Sequence, residues 1–231
     1  MKGIFIFVLG LLAGVAAGAS LIYFNPLMAV SAPLPGDEQW LSYDSPVTNN
    51  LLLTHSGALS MQKNPADVPE LWEGTIAGTA LLLVDLRNSD GSLFGLGTRI
   101  GNFSPDTDLL WNGVGLDSYW TVSVPGRGIF FVVESEHLWP VLKEVILPTR
   151  FFYQNWRGRK GYALNAGPLD SGHGLVLGGT GQFRGRRGRA LERYELRRYS
   201  TSAGAVDMSA ELGIFLPASA SKSDSETGEA S

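Results

Sequence analysis

The chain has no cysteine among its 231 residues, which excludes disulfides, thiolate metal sites and cysteine nucleophiles. Histidine is nearly as scarce. His55, His137 and His173 lie far apart and show none of the close spacings of zinc ligands, so no metal is expected. Charged residues are only 17% of the chain and sum to −4, so the molecule as a whole is not built to bind polyanions and no nucleic acid partner is expected. There is no solenoid-type repeat and no G-x-S-x-G nucleophile elbow. The glycine-rich stretch Gly178–Gly188 lacks the Lys-Ser/Thr ending of a P-loop and opens onto no helix. The sequence therefore carries no cofactor signature, and no cofactor is expected. It names no enzyme class.

What the chain does have is one long apolar run at its start. Ile4–Phe24 holds 21 residues without a charge, and at a helical rise of about 1.5 Å such a run spans ~30 Å, the thickness of a bilayer core. Two fates are open to it. Val30-Ser31-Ala32 offers a small-residue cleavage site for a signal peptide, but Pro33 directly behind it hinders cleavage and the run is longer than a signal peptide needs. A retained anchor is the favoured reading. Lys2 should then stay cytoplasmic, and no competing cation appears before Lys63, so the domain is expected on the periplasmic or extracytoplasmic side of the inner membrane. Secretion after cleavage is the alternative. Gly10, Gly14 and Gly18 line one helical face in a small-xxx-small pattern that would let two copies pair as a homodimer, although glycine is also simply common in membrane helices.

The rest divides by composition. Residues 1–25 form the transmembrane anchor or signal peptide, and residues 26–45, with Pro33 and Pro35, read as a linker. Residues 46–217 read as one domain, large enough to bury a real core that its five Trp and eight Phe can fill. Residues 218–231 are rich in Ser and Ala with Asp224, Glu226 and Glu229 and no large apolar residue, so they are expected to be disordered.

Within the domain the signals are short strands and turns. Asp90-Gly91 marks a hairpin between Gly74–Leu86 and Leu93–Phe103. On that return strand Gly95, Gly97 and Gly101 share a face with Arg99, which points to a close backbone approach, a bend or a cavity wall. Pro125–Gly128 joins Tyr119–Val124 to Ile129–Glu136 as a second hairpin. Leu138–Leu147 reads as one short helix ended by Pro148. Val206, Met208, Ala210, Leu212 and Ile214 alternate with Asp207, Ser209, Glu211 and Gly213, a half-buried strand that pairs with Gly188–Tyr199 through the loop 200–204. Many short strands and almost no helix indicate an all-β barrel or sandwich.

Gly178-Gly179-Thr180-Gly181-Gln182-Phe183, followed by Gly188, a long strand, a short loop and a final alternating strand, resembles the C-terminal part of dirigent proteins and of the allene oxide cyclase barrel family. The matched part covers roughly Gly174–Leu216, about a quarter of the domain. The resemblance implies an antiparallel eight-stranded barrel with a central cavity. In that family some members cyclise an epoxide, some steer radical coupling, and many have no assigned activity. The glycines there give left-handed backbone and the aromatic plugs the barrel end, so Gly178, Gly179, Thr180, Gly181, Phe183 and Gly188 are structural rather than catalytic residues. No cyclase catalytic residue matches this chain one by one, and none is carried over.

Candidate chemistry rests on few residues. Glu134 and Glu136 share a strand face with Phe130 and Val132. If that face points into the barrel, a carboxylate in apolar surroundings has a raised pKa and can act as a general acid or base. If the strand end reaches solvent by then, the pair is ordinary surface. Arg99 could orient an anionic ligand or form a surface ion pair. Seven arginines fall between Arg184 and Arg198; Arg187, Arg189, Arg193 and Arg197 share a face with Glu195, which suggests a solvated outer surface with cross-strand ion pairs or, close to a membrane, a patch for anionic headgroups. Trp111, Trp120, Phe130, Phe131 and Tyr153 could fill a barrel interior or line a cavity. Two expectations follow. In one, a membrane-anchored barrel binds a small apolar ligand and guides a cyclisation or isomerisation; in the other, a filled scaffold contacts a protein partner in the cell envelope.

Overall fold

A computed structural model describes residues 2–24, 39–44, 54–55, 58–59, 79–108, 113–201 and 204–217. The chain begins with helix α1, Lys2–Tyr23. None of its Ile4–Tyr23 stretch is buried inside the protein, and it is long and apolar enough to serve as a membrane anchor or a signal sequence. The strands that follow are β1 (Gln39–Asp44), the two-residue pair β2 (Thr54–His55) and β3 (Ala58–Leu59), β4 (Ala80–Arg87), β5 (Leu93–Phe103), β6 (Gly115–Val124) and β7 (Gly128–His137). A helical segment, α2 (Trp139–Val141), a π turn Leu142–Ile146 and α3 (Leu147–Phe152), leads to β8 (Trp156–Ala163), β9 (Asn165–Gly167), β10 (Gly174–Gly179), β11 (Gly188–Ser200) and β12 (Gly204–Phe215).

Eight of these strands close into an antiparallel barrel in the order β10-β11-β12-β1-β4-β5-β6-β7, with β7 pairing back onto β10. Closure leaves no free sheet edge around the ring. The seam between β7 and β11 is divided. β10 fills it at one end, pairing Leu175 with Val133 and Gly174 with Ala190, while β8 pairs the far half of β11 and β9 pairs the last residues of β7.

Three expectations need correction here. β1 lies inside the stretch read as linker 26–45: Gln39–Asp44 pairs residue for residue with Ile214–Ser209, so the barrel starts at Gln39. Pro33 and Pro35 carry the spacer signal, whereas the alternation of Leu41 and Tyr43, both buried, is the strand signal. The helix does not stop at Pro148. The π turn just ahead of it loosens the i→i−4 pattern that the proline cannot complete, and helical backbone continues to Phe152. β8 and β9 were not foreseen as strands, because Arg157, Arg159 and Lys160 break any apolar alternation. Most of the linker and all of the tail 218–231 lie outside the described residues.

The interior is layered. Leu41, Val84, Leu86, Trp120, Val122, Phe130 and Leu212 form the main apolar core at the end where Phe183 enters. A second cluster, Val145, Tyr162, Leu164 and Leu196, sits beneath the helical segment at the opposite end, and Tyr194 packs on both. The glycine motif secures the first end. Thr180 exchanges backbone and side-chain hydrogen bonds with Ile129, Gln182 N–H donates to the Arg127 carbonyl, and Phe183 is buried against Phe130 with ring centroids 4.9 Å apart. A Cβ on Gly179 would overlap the Ile129 carbonyl oxygen, and Gly181 has φ +56°. Only glycine fits this approach.

Candidate functional site

Along β7 the inward side chains change from apolar to charged: Phe130 and Val132, then Glu134 and Glu136. The face points into the barrel. Both carboxylates are buried, and the strand end does not reach solvent because the helical segment covers it. Opposite them β5 contributes Arg99. Its neighbouring glycines make the space: the Cβ of an alanine at position 97 would stand 2.8 Å from the Trp120 ring. Trp120, Phe130 and the glycine face thus account for the room around the arginine.

Arg99 is the hub of a buried network. Its guanidinium donates to Glu136 and lies 3.6 Å from Glu192 Oε2. The surface ion pair expected as one alternative for Arg99 is instead an interior one, with the side chain only 14% exposed. Glu136 also accepts from Ser118 Oγ at 2.8 Å and from the Tyr194 hydroxyl at 3.3 Å, and Tyr43 donates its hydroxyl to Glu192. Asn165 of β9 bridges the seam: its Nδ2 donates to Glu134 Oε1 at 2.8 Å, and its Oδ1 accepts the backbone N–H of Glu192 at 2.6 Å.

Three carboxylates therefore face one guanidinium in a low-dielectric interior. Burial first, and then the charge of Glu192, pushes Glu134 up to about 8, against the pull of the Asn165 hydrogen bond and of Arg99. Glu134 is protonated at neutral pH. Burial also raises the phenols of Tyr43 and Tyr194, reinforced at Tyr43 by Glu192, so both stay neutral donors. Four polar atoms here, Glu134 Oε2, Glu192 Oε2, Arg99 Nε and Trp120 Nε1, are buried without a hydrogen-bond partner among the described residues.

The three glutamates each offer an oxygen within 4.8 Å of the others, a spacing that suits a hard cation. Arg99 already fills that role, and a metal would have to displace a paired guanidinium. A pocket of about 640 Å³ lies against β1, β8, β11 and β12 on the outer arginine face, lined by residues such as Arg159, Arg193, Glu195, Arg197 and Glu211; none of Arg99, Glu134, Glu136 and Glu192 lines it.

The remaining sequence candidates fall elsewhere. Trp120 and Phe130 fill the interior, whereas Phe131 and Tyr153 point outward and Trp111 lies outside the described residues. The arginine face of β11 is an outer surface: Arg197 pairs with Asp207 at 2.8 Å and with Glu195 at 3.0 Å, and Arg193 stacks 4.0 Å from the Trp40 ring. His137 Nδ1 accepts from the Trp139 backbone N–H, and His173 meets Ser171. Glu192, Tyr43, Tyr194, Ser118 and Asn165 were missed in the sequence. The signal for Glu192 was present, since it alternates with Ala190, Tyr194 and Leu196 opposite the arginine face. Comparison with protein-family models finds no match for this chain, and comparison with curated proteins finds none.

Proposed function

We propose that the protein is a membrane-anchored barrel on the extracytoplasmic side that binds one small, largely apolar molecule beside Arg99, Glu134, Glu136 and Glu192, with Glu134 as proton donor and acceptor in a cyclisation or isomerisation. The observation that carries this reading is the buried cluster of Glu134, Glu136 and Glu192 around Arg99, in which Glu134 Oε2, Glu192 Oε2, Arg99 Nε and Trp120 Nε1 have no hydrogen-bond partner among the described residues. Each such atom costs about 1–3 kcal/mol. A network kept only for stability would satisfy them; a ligand with one or two polar groups satisfies them on binding. The chemistry balances without a cofactor, because Glu134 gives its proton to the ligand and the cluster takes one back. The likeness of Gly178–Gly188 to dirigent and allene oxide cyclase barrels supports the same class of reaction as an analogy of fold.

A second reading, a filled scaffold that contacts an envelope protein, is favoured by one observation: Trp120 and Phe130 are fully buried in the barrel core, and Asn165 uses the cluster to close the seam. The two separate in one experiment. Protein extracted mildly from its own host's membranes is measured intact by native mass spectrometry, then denatured and its small molecules identified. A stoichiometric small apolar molecule, lost in the E134Q/E192Q double variant, is the expected result. An apo mass from repeated native preparations sinks the ligand reading in favour of the scaffold. The intact mass also reports whether residues 1–32 remain on the mature chain.

A further inference from the structure

The helical segment that closes the charged end of the barrel also ends in three consecutive exposed aromatics. Phe151, Phe152 and Tyr153 are 79%, 73% and 87% exposed. A domain with ample core leaves single apolar residues on its surface, not a contiguous aromatic tip. Tyr153 holds φ 50°, the left-handed position that ends many helices and is normally given to glycine or asparagine. A bulky ring there is held out from the fold at a conformational cost.

The position of this tip relative to α1 identifies what it meets. Lys143, two turns before Phe151, donates to the carbonyl of Tyr23 at 3.2 Å and lies 5.4 Å from the Tyr23 ring. Tyr23 is the last residue of α1, the end opposite Lys2. The segment therefore lies at the level where an α1 that spans a bilayer leaves the hydrocarbon. Tyr23 and Phe24 pack edge to face at that level, as interfacial aromatics do. Around the tip Arg150 and Arg157 are exposed, while Arg159 pairs with Glu195 at 2.8 Å and Lys160 with Glu144 at 2.6 Å, which leaves the balance positive. Aromatic rings with a rim of cations match the acyl boundary and the anionic headgroups above it.

We infer that the helical end of the barrel docks on the bilayer surface that α1 crosses, with Phe151, Phe152 and Tyr153 inserted at the headgroup level. The inference rests on the reading of α1 as a retained span and is independent of any ligand. It presents the Arg99–Glu136 end of the interior to the lipid rather than to bulk water.

The absence of cysteine makes a clean test. Full-length A13C, F152C, Q154C and S89C are each labelled with a nitroxide and reconstituted into nanodiscs of phosphatidylcholine with phosphatidylglycerol. Accessibility to oxygen and to a water-soluble nickel chelate is then measured. Ala13 reports the bilayer core, Ser89 lies in the turn at the opposite rim, and Q154C keeps all three aromatics. Docking predicts an oxygen-rich A13C, a nickel-accessible S89C, and F152C and Q154C shielded from nickel severalfold relative to S89C. Labels at 152 and 154 as nickel-accessible as S89C, beside an oxygen-rich A13C, overturn the docking and leave the span intact. A nickel-accessible A13C overturns the span, and the docking with it.

Discussion

At the scale of single residues, Glu134 couples the fold to pH. Its folded pKa of about 8 stands above the ordinary 4.5 because burial and Glu192 favour the protonated form. A raised carboxyl pKa contributes stability that is complete below the unfolded value and is lost as pH rises through the folded one. Unfolding free energy should therefore fall by on the order of a few kcal/mol between about pH 4.5 and 8 and level off above. In E134Q, which keeps the oxygen that accepts from Asn165, that slope flattens, and urea melts across the window check it; an unchanged slope assigns the titration to another group. The period-two pattern put Glu134 and Glu136 on the Phe130 face from sequence alone. Whether that face was wet depended on where the helical segment after His137 folds, a long-range fact that no local pattern carries. Glu192 escaped notice because the arginines around it dominate the composition of β11, although its own alternation sets it on the other face.

At the scale of elements, the turn 178–183 is where β10 locks onto the β6–β7 hairpin. Gly179→Val forces a side chain into the Ile129 carbonyl, breaks the paired hydrogen bonds of Thr180 and withdraws Phe183 from Phe130. The expected loss exceeds about 3 kcal/mol, the scale of removing a buried Phe. Gly126, whose position is open, serves as the comparison: Gly126→Asn, a residue that tolerates φ near +72°, should cost far less in the same thermal melt. Equal melting temperatures for both variants remove the turn's assigned role. These glycines and the terminal hairpin were legible because turn chemistry and alternation are local. β8 was not, since its outward Arg159 and Lys160 pair with Glu195 and Glu144 on other elements; nor was β1, a strand only by virtue of pairing with β12 from the far end of the chain.

At the scale of the whole molecule, ring closure depends on a seam shared by three short strands, and Asn165 is the side chain that spans it. Asn165→Ala strands Glu134 Oε1 and the Glu192 N–H without partners at about 1–3 kcal/mol each. Amide exchange should then accelerate in β8, β9 and the facing halves of β7 and β11 while β4–β6 keep their protection; uniform acceleration around the ring would refute a special seam. The register breaks on both sides of it, between Leu196 and Arg198 and between Ser135 and Glu136. A closed cylinder with one interrupted staple line opens there by losing few ladder bonds, a partial unfolding far cheaper than melting the barrel. Such an opening would uncover Asn165 and the carboxylates it holds while the apolar core at the Phe183 end stays closed, so the charged end of the barrel can admit water without the molecule unfolding.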